Sequence, residues 1–264
     1  MIYQPYAFQG TPTTTTTSTT TSTTTTTSTT TTTSTTTTTA GSIVTANLQF
    51  HYDFGNSSCY PGSGTSVTDL ISSTVGTLQN GSRTYSSSFG GYINFVNSNC
   101  NTGINWQNIA TNNGAQTLEF WFRRTSFNEG GAFQNFLCGS TAGGPNVAQY
   151  TNNGSDADAL WSQASGTSVY FTQIQSFIPV NIWHQLVISA PASGTATLYI
   201  DGSSTGKTAS YRNFYGNSTA MWPGRTFDTN RWSGDWAIGR YYRAQLSAAQ
   251  VAQNWNAQKA RFGR

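Results

Sequence analysis

Between residues 41 and 264 apolar and polar positions alternate with the period of two that a half-buried β-strand requires. The alternation predicts strands over Ile43 to Phe50, Tyr92 to Phe95, Thr117 to Arg123, Ser168 to Thr172, Trp183 to Ser189, Thr195 to Ile200 and Trp236 to Tyr242. Between them stand Pro61-Gly62, Asn80-Gly81, Gly90-Gly91, Asn153-Gly154 and Asp201-Gly202, pairs that fix φ or reach positive φ and so mark turns. Many short strands with Gly, Asn and Ser between them predict an all-β antiparallel sandwich. A helical period occurs once, over Ala248 to Ala260. Ser247 and Gln250 form a capping box ahead of it, Val251 and Trp255, four apart, share its buried side, and Lys259 and Arg261 suit its C-terminal dipole.

The first forty residues follow a different rule. From Thr13 to Thr39 every residue is Thr or Ser. A segment with no apolar side chain cannot drive a core, which predicts an extended, solvated stalk or linker over 13–40. Fully extended, the tract would reach roughly 90 Å. Thr favours extended backbone, and Ser18, Ser22, Ser28 and Ser34 all fall at even positions, one face of a strand. That pattern suits a thin β-type fibre of several chains as well as a flexible or glycosylated spacer. Ahead of it, residues 1–12 carry Tyr3, Pro5, Tyr6 and Phe8 without a charge and read as an aromatic docking peptide for a particle or surface protein. The domain organisation expected is therefore 1–12, 13–40 and a folded domain over 41–264.

Charge narrows the function. Lys and Arg number 12 and Asp and Glu number 9, only 8% of the chain against roughly 25% in ordinary soluble domains. A net charge of +3 over 264 residues is too dilute for a nucleic-acid face or an electrostatic membrane anchor. No apolar run has the length to span a bilayer, and the opening residues lack the basic and apolar regions of a signal peptide. Cys59, Cys100 and Cys138 are odd in number, so a complete set of disulfides within one chain is excluded. A Cys59 to Cys100 bridge is one arrangement, three small buried thiols the favoured one. Neither His stands at zinc-ligand spacing from a Cys.

Four stretches in order resemble one family. Asn47-Leu48-Gln49-Phe50-His51-Tyr52-Asp53, followed by Ser58 to Thr65 and Thr68-Asp69-Leu70, resembles the opening of a laminin-G-like, concanavalin A-like lectin/glucanase jelly roll. Thr117 to Phe122 resembles its central strand, and Ile182 to Val187 with Ala196 to Gly202 its paired strands and hairpin. Tyr242 to Val251, Asn254 to Ala257 and Arg261 to Gly263 resemble its closing strand and terminal helix. The resemblance spans nearly all of 41–264. It implies a concanavalin A-like sandwich with a short C-terminal helix and an exposed recognition or decoration role, of the kind met in tailed-phage structural proteins and bacterial surface proteins. Residues 210–232 are longer and more aromatic than the usual connection, so binding there would be particular to this chain.

The glucanases of that superfamily place acidic residues at alternate positions of one strand, facing a cleft. Glycoside hydrolysis needs two carboxylates about 5 to 5.5 Å apart for retention, yet Glu119 is followed by Phe120, Trp121, Phe122 and Arg123. A Ser hydrolase needs a nucleophile on a sharp turn and a His to activate it, and His184 sits within a predicted strand with no such turn in the sequence. His184 therefore reads as structural, and the chain as non-enzymatic.

Binding chemistry is better represented. Sugars stack on aromatic faces and hydrogen-bond to amides and carboxylates. The candidates for glycan contact are Trp161, Trp222, Tyr215, Asn217, Arg225 and Asp228, with Trp222 first because the following Pro223 is hard to place within a regular strand. Trp232, Trp236 and others read as core. Asn152 to Asp158 offers Asp156 and Asp158 on what reads as a tight loop, a weak Ca2+ set or an exposed Asx-rich turn. Asn56, Asn80, Asn153 and Asn217 begin glycosylation sequons.

The reading that joins these parts is a virion fibre or surface-decoration subunit, at the virion surface or extracellular, a homotrimer whose head binds host-surface glycans. Two alternatives are a structural subunit that packs through its jelly roll and a secreted glycan-binding module on an O-glycosylated stalk. Light scattering on the full chain and on a shortened chain beginning at Gly41 tests the assembly. The fibre reading expects a trimer and a monomer respectively; two monomers would reduce the Thr tract to a linker.

Overall fold

The computed structural model describes residues 41–264 apart from 79–82, 99–103, 107–113, 126–132, 140–145, 153–154, 163–167, 211–219 and 223–231. The aromatic peptide and the Thr/Ser tract lie outside the described residues, as do two predicted turns, Asn80-Gly81 and Asn153-Gly154.

Among the described residues sixteen strands form two antiparallel sheets, in agreement with the predicted sandwich. The first sheet holds β1 (Leu48–Asp53), β4 (Arg83–Ser86), β5 (Tyr92–Ser98), β7 (Gln116–Arg124), β12 (His184–Ala190), β13 (Thr195–Ile200), β14 (Ser203–Ser210) and β16 (Trp232–Tyr242). Its order is β14-β13-β12-β7-β16-β5-β4, with β1 also on β16. Strand β16 is long enough to pair with β5 through Trp232 to Trp236 and with β1 through Ile238 to Tyr242. The second sheet has the order β11-β10-β9-β8-β15-β6-β3-β2. Its members are β2 (Ser66–Thr68), β3 (Val75–Leu78), β6 (Ile104–Trp106), β8 (Phe133–Gly139), β9 (Asn146–Asn152), β10 (Ser155–Ser162), β11 (Ser168–Phe171) and β15 (Ala220–Trp222).

The core lies between the sheets. Phe50, Tyr52, Ile93, Leu118, Phe120, Phe122, Leu186, Ile188, Leu198 and Trp236 contribute from the first sheet, and Val67, Leu78 and Phe171 from the second. Alternation along β7 sends Leu118, Phe120 and Phe122 into this core and turns Glu119, Trp121 and Arg123 to the other face. All but Arg123 of these outward residues are still fully buried, because the C-terminal helix α1 (Ala248–Gln258) covers them.

The capping box forms as predicted: Gln250 N–H donates to Ser247 Oγ (3.3 Å) and Ser247 N–H to Gln250 Oε1 (2.9 Å). The helix ends at Gln258 and passes into a 3-10 turn over Lys259–Phe262. Val251 is buried against Val187, Tyr199 and Tyr242. Trp255 stacks flat on Trp121 with centroids 5.1 Å apart, and Phe262 stacks on the same indole at 4.5 Å.

Beneath the helix, the buried Glu119 carboxylate accepts from Arg240 Nη1 (2.7 Å), Gln185 Nε2 (2.9 Å) and Trp121 Nε1 (3.1 Å) on one oxygen and from Asn254 Nδ2 (2.7 Å) on the other. Asn254 Nδ2 also donates to Tyr242 Oη (2.9 Å), and its Oδ1 accepts the Val44 N–H (2.8 Å). The strand expected from Ile43 is corrected here: β1 begins at Leu48. Residues Ile43 and Val44 instead form a strap under the helix, the Val44 N–H and carbonyl taken by Asn254 and Tyr242 rather than by a ladder. Asn47, at φ 59°, makes the bend into the strand.

The Asp201-Gly202 turn is the predicted hairpin. Both residues have positive φ, 51° and 78°, as a type I′ turn requires. A Cβ on Gly202 would lie 2.7 Å from the Trp255 ring. Cys59 is a free, buried thiol, so the Cys59 to Cys100 bridge is not formed; Cys59 Sγ accepts the Asp53 N–H (3.3 Å), and burial pushes the thiol up to about 12. Cys100 lies outside the described residues.

Replacing Glu119 with Gln leaves the Arg240 guanidinium buried without its counter-charge. The expected loss is about 3 kcal/mol, read as a lower urea midpoint at unchanged slope.

Candidate functional site

Two arrangements bear on function, the second sheet and the rim of the first. In the second sheet the predicted contacts are dispersed. Tyr215, Asn217, Arg225 and Asp228 lie outside the described residues. Trp222 closes the short strand β15, with Ile104 as its partner on β6. Trp161 lies on β10, opposite Val147 of β9 and Val169 of β11. Strands β8 and β9 separate β15 from β10, so the two Trp positions stand three strand spacings, about 14 Å, apart across one sheet.

Register assigns faces. Directly opposed residues of an antiparallel ladder share a face, and neighbours along a strand alternate. Position 222 pairs with Ile104, and Ile104 with Leu78, which is buried in the core. Position 161 is two from Ala159, whose partner Phe171 is also buried in the core. Positions 161 and 222 therefore belong to the sheet face that Leu78 and Phe171 occupy.

The opposite face carries a different set of positions. Thr77, which is exposed, pairs with Asn105, Asn105 with Met221, Met221 with Cys138 and Cys138 with Asn146. Asp158 pairs with Tyr150, and Tyr170 lies opposite Leu160. This face thus collects amide, phenol and carboxylate residue types along a continuous ladder. No local pattern marks it, since these residues come from seven strands, β3, β6, β8, β9, β10, β11 and β15, and only the pairing unites them.

Asp156 and Asp158 correct one expectation. They stand within strand β10 and not in a tight loop, Asp156 as the unpaired residue of a β-bulge between Ser155 and Ala157 and Asp158 just beyond it, opposite Tyr150. Among the described residues no group of three or more His, Cys, Asp or Glu side chains is arranged to hold a metal ion.

Each described acidic side chain is already engaged. Glu119 is held by Arg240 beneath the helix. Both Asp53 oxygens accept from Arg261 Nη1, at 2.8 and 2.7 Å. Asp69, buried, accepts the N–H groups of His51, Ile71 and Ser72 and shapes the turn between β2 and β3. Asp235 accepts from Arg123 Nε (2.6 Å) and Asn94 Nδ2 (2.7 Å). Asp201 accepts from Arg264 (2.6 Å) and from the Gln185 N–H (3.0 Å). His184, expected to be structural, is buried, with Nδ1 3.0 Å from Asp201 and Nε2 3.2 Å from the Pro179 carbonyl. No hydroxyl faces it within hydrogen-bond distance in the described structure.

At the rim of the first sheet, the Arg123 guanidinium lies 5.4 Å from the Phe89 ring, 5.6 Å from Tyr92 and 5.4 Å from Trp183. The sequence pattern did not single out this cluster, because its members come from three distant segments.

The family model described as the concanavalin A-like lectin/glucanases superfamily, Laminin_G_3, matches residues 97–252. The chain belongs to this superfamily. Among solved structures, domain 4 of AbnA, a GH43 extracellular arabinanase from Geobacillus stearothermophilus in complex with arabinotriose, superposes with a TM-score of 0.60 at 16% identity, covering 79% of this chain and 98% of that one. The binding domain of Paraclostridial Mosquitocidal Protein 1 gives 0.62 at 19% identity, over 80% of this chain and 52% of that one. The receptor-binding domain of botulinum neurotoxin type G gives 0.56 at 17%, over 81% and 52%. At these identities the likeness is one of fold, and the chain spans about half of the last two domains. No curated protein matches by sequence. As a member of this superfamily the chain has a lectin-like sandwich, and among its described residues no helix is long and apolar enough to cross a membrane.

One electrostatic consequence can be measured. His51 lies opposite Arg240 in the β1–β16 ladder. Burial, aided by the charges of Arg240 and Arg261, lowers its imidazole to about 3. An unfolded His titrates near 6.5, so between these values only the unfolded chain takes up the proton. Stability is then full above pH 6.5 and falls as the pH drops toward 3. From pH 7 to pH 5 the native protein is expected to lose about 2 kcal/mol more than its His51→Gln variant, measured by urea unfolding at the two pH values.

Proposed function

We propose that the folded domain is a non-enzymatic glycan-binding head, carried by the Thr/Ser stalk on a virion or other extracellular surface. The observation that carries this reading is the commitment of the acids. Asp53, Asp69, Glu119, Asp201 and Asp235 all hold turns, strands or the helix in place, which leaves none of them paired across a cleft as glycoside hydrolysis demands. The lectin-like fold remains, with a sheet face of amide and phenol positions of the kind that binds neutral sugars by stacking and hydrogen bonds. The structural neighbour solved with arabinotriose supports a saccharide as ligand.

The contact surface we assign is the outward face of the second sheet around Tyr150, Asp158, Asn105 and Asn146. Tyr215, Asn217, Arg225 and Asp228, which flank β15 in the sequence, are further candidates. Trp161 and Trp222, on β10 and β15 of the same sheet, are kept as candidate contacts. A glycan array probed with the full chain identifies the sugar. Tyr150→Ala is then expected to weaken it about tenfold, the equivalent of about 1.4 kcal/mol, with the unfolding midpoint little changed. Retention of full affinity by Tyr150→Ala and Arg225→Gln together would move the site elsewhere, and turnover of any arrayed glycan would end the non-enzymatic reading.

A further inference from the structure

The rim of the first sheet contains a second built cluster, on the other side of the sandwich from the surface just assigned. Arg123 projects from the end of β7, about a quarter exposed. Its Nε is fixed by Asp235 at 2.6 Å, and Asp235 is fixed in turn by Asn94 at 2.7 Å. Its Nη2 reaches Tyr92 Oη only at 3.5 Å. Its Nη1 has no acceptor among the described residues, so the guanidinium retains directed donors.

Phe89 makes the arrangement unusual. A bulky residue seldom adopts positive φ, yet Phe89 has φ 51° and ψ 31° and leaves 37% of its surface exposed. Arg261 holds it there, donating from Nε to the Phe89 carbonyl (2.7 Å) and from Nη2 to the Gly91 carbonyl (2.9 Å) while Nη1 grips Asp53. At Gly90, also of positive φ, a Cβ would lie 2.7 Å from Arg261 Nε, so the turn closes tightly on its clamp. The fold thus maintains an unfavourable backbone conformation in order to present a half-exposed ring beside a guanidinium. Strain of this kind, over-determined by its surroundings, is characteristic of ligand clamps.

We propose that Phe89, Tyr92, Trp183 and Arg123 form a second ligand site for an acidic sugar residue, with the pyranose C–H face on the Phe89 ring and the sugar carboxylate on the free Arg123 donors. Aromatic stacking supplies the apolar contact, and the guanidinium fork matches a carboxylate. Asp235 offsets the charge of Arg123 while orienting it, so the site is selective through geometry and its affinity is modest.

Isothermal titration of the full chain with trigalacturonate and with its methyl ester isolates the carboxylate, the two probes being otherwise alike. The acid is expected to bind at least tenfold more tightly than the ester. Phe89→Asn is the decisive variant, because Asn tolerates the left-handed backbone; it should keep the unfolding midpoint and lose at least tenfold in affinity for the acid. Arg123→Gln should abolish the preference for acid over ester. Equal binding of acid and ester by the native chain, no binding of either, or unchanged acid binding by Phe89→Asn would each overturn the proposal. The site is independent of the second-sheet surface: Tyr150→Ala should leave trigalacturonate binding intact, so failure of one reading is distinguishable from failure of the other.

Discussion

The structure depends on a single buried carboxylate. Glu119 sits on the central strand of the first sheet, and its two oxygens gather side chains from β7, β12, β16 and the C-terminal helix. Desolvating a carboxylate and a guanidinium is expensive, and their mutual attraction offsets it only when the remaining hydrogen-bonding capacity is met. Three neutral donors beside Arg240 serve that purpose on the carboxylate. The surrounding contacts, Trp255 and Phe262 on Trp121 and Val251 among Val187, Tyr199 and Tyr242, are apolar and would tolerate small shifts of the helix. Hydrogen bonds to a fixed charge do not, so apolar burial supplies the attraction and Glu119 the seating.

That seating makes the sandwich asymmetric. The helix and the Lys259–Phe262 turn close the outside of the first sheet. The same economy governs charge. A chain with nine acids that commits five of them to internal contacts has little charge left for recognition, and a surface poor in charge suits ligands that are themselves neutral and polyhydroxylated. At the Arg123 rim the guanidinium is only partly exposed and its counter-ion Asp235 is buried, so directed donors rather than net charge define what it can hold.

Legibility followed the chemistry of each strand. Strands β7, β12 and β13 were read within a residue or so because β-branched and aromatic residues crowd them, and the helix start was read from Ser247 and Gln250, a local device that needs no tertiary partner. Strands β8, β9 and β10 escaped because Asn, Gln, Asp and Ala mask the alternation, and they exist through pairing with neighbours that one sequence does not display. The Asn152 to Asp158 stretch looked like loop for the same reason, and Ile43 to Phe50 was over-extended because strap and strand share an apolar pattern. Glu119 and Asn254 were hidden by their polarity, since a polar residue in an apolar run reads as solvent-facing until its partners are known. The Phe89 to Arg123 cluster joins segments more than thirty residues apart, and no local signal marks it.

The network also anchors residues 42–44 at the start of the described domain. Gln253 Nε2 donates to the Ser42 carbonyl (2.9 Å), Asn254 accepts the Val44 N–H, and Tyr242 Oη donates to the Val44 carbonyl (3.1 Å). Asn254 and Tyr242 are bonded to one another, and Asn254 to Glu119. Residues 42–44 are thereby tied to the helix and its buried anchor, while β1 begins separately at Leu48 against β16. A strap held only by apolar contact could slide, whereas one whose backbone groups are taken up by the central polar network must break that network to move. The residues that seat the helix are thus the residues that hold the strap, and the first sheet, its cover and the strap share one set of hydrogen bonds.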